Sequence, residues 1–117
     1  MIITLSGEPK STQHIYGLQC RGPYPSQYMT TQGKLIKRGY QLEAKAQWRK
    51  KPLEGELEVW VTLFFGTKRK ADLDNFNKIL LDSLTGIVYV DDSQIHALHI
   101  QRDYDKKKPR IEISIVA

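Results

Sequence analysis

Residues 68–94, KRKADLDNFNKILLDSLTGIVYVDDSQ, run from a basic stretch through a helical pattern to an aspartate pair, and the chain's organisation is read outward from them. Leu73, Phe76, Leu80 and Leu84 recur at helical spacing, which predicts a helix over Leu73–Leu84 with one buried stripe. Asp74, Lys78 and Asp82 follow at every fourth position and share a different face. Asp72 is the expected N-cap, and Thr85 with Gly86 ends the helix. Ile87–Val90 is a short apolar approach to Asp91 and Asp92, after which Ile95–Ile100 has strand character.

Upstream, Glu56–Phe65 alternates Leu57, Val59, Val61 and Leu63 against Glu58, Trp60, Thr62 and Phe64. Because Trp60 and Phe64 make the second face partly apolar, this strand is expected inside a sheet or under a helix. Pro52–Gly55 separates it from a basic helix that starts at Thr30 or Thr31 and reaches about Lys50. Leu35, Leu42 and Ala46, with Tyr40 and Ala44, are its expected apolar face. Lys34, Lys37, Arg38, Lys45, Arg49, Lys50 and Lys51 make the rest cationic, either a DNA-facing flank or a solvated surface. Ile2–Leu5 reads as a first strand, and Glu8–Gln27, with Pro9, Gly17, Gly22, Pro23 and Pro25, as an irregular loop. Downstream, Asp103–Pro109 is a polar turn, so Ile95–Ile100 and the alternating Ile111–Val116 are expected to form a hairpin.

A chain of 117 residues fits a single domain, residues 1–117. With 40% hydrophobic and 26% charged residues, a packed core needs neither metal nor disulfide. Cys20 is the one cysteine, and MIITLSGEPK lacks the basic start and apolar run of a signal peptide, so a cytoplasmic, reducing location is expected. A membrane role has no support, since even Leu57–Phe65 is short and contains Glu58 and Thr62. The formal net charge of +5 and pI near 9.4 favour an anionic partner.

Asp72 and Asp74, with a third carboxylate from Asp91 or Asp92, have the layout of a hard-metal site open to a phosphate. Such an ion, Mg²⁺ above all, would activate water for attack on a phosphodiester. The same aspartates also suit helix capping and turn formation. Lys78 is either a phosphate contact or an i, i+4 partner of Asp74. Other site types fail. Phe76, Asn77 and Ser83 occupy the fifth, sixth and twelfth places of a calcium loop begun at Asp72, and His96 and His99 point to opposite faces of a strand. Walker A and GxGxxG runs are absent.

The segment ADLDNFNKILLDSLTGIVYVDDSQI resembles the signature of the RusA-type endodeoxyribonucleases, which resolve Holliday junctions and are frequent in bacteria and their prophages. The shared pattern is a basic run, Asp-x-Asp-Asn, Lys, Asp-x-Leu, and a short apolar segment ending Asp-Asp-x-Gln-hydrophobic. Weaker similarity extends to Pro9 and Ser11, the basic first helix and the C-terminal strands, while 13–27 matches poorly. The resemblance implies a small α+β domain, a mixed or antiparallel sheet packed on two main helices, acting as a homodimer on branched DNA with Mg²⁺ or Mn²⁺. It also implies metal-binding roles for Asp72, Asp74 and Asp92, with Asp91 as a further ligand or a positioning group. Lys78 takes the place of the functional lysine, Asn75 supports the ligands, and Lys68, Arg69 and Lys70 approach the DNA. The competing readings are a non-catalytic DNA-binding module and a metal nuclease that prefers forks or flaps.

Overall fold

Leu57, Val59, Val61, Leu63 and Phe65 alternate along one strand, and each is at most 1% exposed, so one face of that strand lies entirely within the core. The computed structural model describes residues 2–10, 16–21, 24–68, 73 and 76–117, with side chains left aside from 16 to 28. In chain order the elements are β1 (Ile2–Ser6), β2 (Tyr16–Arg21), β3 (Tyr24–Met29), α1 (Thr31–Gln47), β4 (Leu57–Phe65), α2 (Asn77–Leu84), β5 (Ile95–Tyr104) and β6 (Arg110–Val116). A four-stranded mixed sheet has the order β1-β6-β4-β5, and β2 and β3 pair separately. The α+β class expected from the sequence is the one observed.

The expected hairpin of the last two strands does not form. β5 pairs parallel to β4, β6 pairs antiparallel to it, and β4 lies between them. The connection 105–109 therefore passes the end of β4, where the Asp105 N–H donates to the Phe65 carbonyl at 2.9 Å. Asp105 also accepts from the Lys107 and Lys108 amides and pairs with Arg110 at 2.7 Å, which keeps the crossing tight. The physical reason is local: DYDKKKP makes a good turn, but it leaves open what is enclosed between the strands it joins.

Three further expectations change. Glu8–Gln27 is not irregular throughout, because β2 and β3 form an antiparallel pair running from Tyr16↔Met29 to Arg21↔Tyr24. On α1 the buried residues are Gly33, Tyr40 and Ala44, whereas Leu35 and Leu42 are exposed. Thr30 does cap it, accepting from the Gly33 N–H at 3.0 Å. Finally, α2 begins at Asn77 rather than Leu73, with Phe76 at its N-cap position and no acidic residue in its first turn.

α1 and α2 pack together over one face of the sheet. Tyr40, Ala44 and Trp48 from the α1 side meet Phe76, Ile79, Leu80 and Leu84 from the α2 side and the inward residues of the strands, including Ile3, Leu5, Ile111 and Ile113. Phe65 and Phe76 meet edge to face with ring centroids 5.4 Å apart. The edge strand β1 is closed off by α1: the Thr4 N–H donates to Gln47 at 2.8 Å and the Ser6 N–H to Glu43 at 2.7 Å. The other sheet face is partly covered and carries Trp60 stacked on His99 at 5.0 Å, with Glu58 2.7 Å from the same imidazole.

Because Leu63 is fully buried in the central strand, Leu63→Ala is expected to lower stability by about 2–5 kcal/mol. A urea titration would read this as an earlier midpoint at unchanged slope.

Candidate active site

The turn that carries the aspartate pair is assembled from α2 outward. Gly86, at φ 83°, takes a left-handed conformation that favours glycine, and its N–H donates to the Tyr89 carbonyl at 2.7 Å. Ile87 and Val88 donate back to Leu84, so the chain turns tightly off the helix end. The Leu53 N–H then donates to Val88 at 2.8 Å and the Val90 N–H to Leu53 at 3.3 Å, which fixes 88–90 against the segment before β4. Tyr89 is fully buried, and its hydroxyl donates to the Leu81 carbonyl at 2.6 Å. Burial pushes the phenol pKa far up, so Tyr89 remains a neutral donor.

Asp91 and Asp92 follow immediately and adopt distinct roles. Asp91 is the N-cap of a short 3₁₀ turn, Asp92–Gln94, through a capping box in which its carboxylate accepts from the Gln94 amide. The Asp91 N–H donates to Gln94 Oε1 at 2.8 Å, and Ser93 Oγ donates to Asp91 Oδ2 at 2.6 Å. The Ser93 hydroxyl and then the turn amides hold the Asp91 carboxyl below its usual range. Asp92 shifts the other way. Partial desolvation raises its pKa first, and the charges of Asp91 and of Asp82 on α2 raise it further.

Gln94 ties this turn to the body of the protein. Its side-chain amide donates to the carbonyls of Leu53 and Gly55, each at 2.9 Å, while its carbonyl oxygen accepts from Asp91. The sequence pattern contained Gln94 without a role for it; the signal was its place three residues after an aspartate that caps a turn. Tyr89 was also missed, since a tyrosine in an apolar run reads simply as core. Asp82 is brought near enough to Asp92 to affect its ionisation, as its shared face with Lys78 allowed.

Lys78 is exposed on α2, and Lys68 lies with its ammonium 5.6 Å from the centre of the Tyr104 ring at the end of β5. Arg69, Lys70, Asp72, Asp74 and Asn75 lie outside the described residues. Among the described residues no three His, Cys, Asp or Glu side chains gather as a metal-binding set. Asp91 and Asp92 thus present two carboxylates on a rigid turn, one engaged in capping and one exposed beside like charge.

Gln94→Ala is expected to cost about 1–2 kcal/mol through its lost hydrogen bonds and to loosen the turn. Amide exchange would accelerate at Asp91–Gln94 before it changes in β4 and β6.

A search of protein families matches residues 7–116 to the model described as Endodeoxyribonuclease RusA. No curated protein matches the chain.

Proposed function

The chain belongs to the RusA endodeoxyribonuclease family, and from that membership we propose that it resolves four-way DNA junctions by paired, metal-dependent nicks. The match across residues 7–116 carries this reading, because it takes in both helices and every strand from β2 to β6. Among the described residues no helix is long and apolar enough to cross a membrane.

The donor chemistry fits Mg²⁺, with Mn²⁺ as the alternative. Asp92 offers hard oxygen ligands, and its pKa is raised by partial desolvation first and then by the charges of Asp91 and Asp82, a repulsion that a bound cation would offset. Asp72, Asp74 and Asp92 would hold the ion, with Asp91 setting the turn from which Asp92 projects. When bound, a divalent ion polarises a phosphate oxygen and acidifies a coordinated water.

The chain's own groups orient the substrate. Lys78 lies one helical turn before Asp82 and contacts the scissile phosphate or the leaving oxygen, where its positive charge offsets the charge that accumulates. Lys68, Arg69 and Lys70 guide the DNA backbone toward it, and Asn75 supports the ligand aspartates. Two symmetric nicks need two sites related by a two-fold axis, so the working form is a homodimer.

Asp92→Asn is expected to lower cleavage of a four-way junction in Mg²⁺ by about 100-fold or more while junction binding stays within about threefold. Without metal its melting midpoint should hold or rise, since the substitution removes a carboxylate whose ionised form is disfavoured in the fold. Asp74→Asn should also lose cleavage and keep binding. Wild-type-like nicking by either variant would remove that aspartate from the site. Side-by-side assays on junction, fork, flap and duplex separate resolution from other nuclease preferences, and a binding module cleaves none of them.

A further inference from the structure

The outward side of α1 carries a seam that the nuclease reading does not use. Thr31, Leu35, Arg38, Leu42 and Lys45 are spaced alternately by four and three residues, the 3.5-residue period at which one helix packs against another. α1 turns Gly33, Tyr40 and Ala44 toward the core and leaves this seam on the surface. Leu35 is 67% exposed and Leu42 59%, two turns apart at the middle of the seam. With Lys34 and Gln41 beside them, they line a shallow depression of about 510 Å³.

Charge selects what fits there. α1 contains one acidic residue, Glu43, and its carboxylate is taken by the amide and hydroxyl of Ser6 on β1. Among the described residues no ion pair engages Lys34, Arg38 or Lys45. A second copy of the same helix would set cations against cations, which opposes self-pairing. A phosphate backbone would satisfy the cations but would give the two leucines nothing apolar to cover them.

We propose that this face of α1 docks an acidic amphipathic helix from a partner protein. Its apolar side chains cover Leu35 and Leu42, and its carboxylates meet Lys34, Arg38 and Lys45, the helix-in-groove mode of peptide recognition. The proposal does not depend on the nuclease reading.

The test is a fluorescence-anisotropy titration of the full chain with a synthetic helical peptide of about 20 residues, long enough to hold helix. The peptide carries leucine at every first and fourth heptad position and glutamate beside them; a control replaces each leucine with glutamine at the same net charge. The leucine peptide should bind at least about tenfold tighter than the control, and Leu35→Gln with Leu42→Gln should remove that difference. Arg38→Glu with Lys45→Glu should weaken it by a similar factor, with junction binding and cleavage unchanged in both variants. Equal binding of the two peptides overturns the proposal. So does a loss of junction affinity in the Arg38 and Lys45 variant with the leucine variant silent, which assigns the face to DNA. A shift from dimer to monomer in the leucine variant, read by sedimentation, assigns it to a second copy. Failure of the nuclease reading would appear as absent cleavage by the wild-type protein and would leave the peptide result unaffected.

Discussion

β4 must be hydrogen-bonded on both edges, and most of the structure follows from meeting that condition. It is the most apolar strand, with one face in the core and the other half covered, so unpaired backbone groups along it would be costly. β5 supplies one edge in parallel register from Leu57↔Ile95 to Phe65↔Tyr104, and β6 the other in antiparallel register from Glu58↔Val116 to Phe64↔Arg110. A parallel neighbour requires a crossover, and α2 with the turn after it is that crossover. The carboxylate turn is therefore part of the connection that the central strand makes necessary.

This origin explains why the turn is rigid although it lies at the surface. Tyr89 is fully buried beneath it, Leu53 is bonded to it through both backbone groups, and Gln94 reaches two carbonyls of the segment leading into β4. All of these fixing bonds are made by neutral groups. They hold the turn without cancelling the negative charge at Asp92, so the carboxylates stay close despite their mutual repulsion. A frame of lysines or arginines would have stabilised the same turn at the cost of its attraction for a cation.

How much of this was legible in the sequence depended on whether the deciding contact was local. The Thr30 cap of α1, the apolar stripe Phe76, Leu80 and Leu84, and the stop at Thr85 and Gly86 are properties of a few consecutive residues, and each could be read directly. The pairing of β5 and β6 could not. The polar turn between them has the same composition whether the strands are adjacent or separated by β4, and only the need of β4 for two partners distinguishes the cases. Leu35 and Leu42 misled for a related reason: spacing identifies a face, but it was Gly33, Tyr40 and Ala44 that the sheet and α2 covered. In the site, Asp91 and Asp92 are equivalent by composition, and their difference arises from Ser93 and Gln94, which engage the Asp91 carboxylate.

The distribution of charge adds a last step. The net charge of +5 is a sum over unlike surfaces. Around Asp92 the local sign is negative, with Asp91 and Asp82 adding to it, while the outward side of α1 is cationic with no acidic residue of its own. Fields of opposite sign persist on one small domain because screening at physiological salt limits each to about 8 Å. On the proposed reading, a phosphate approaching the carboxylate turn would be repelled at short range unless a cation were held there, so the same local charge that opposes DNA alone would favour DNA that arrives with a metal.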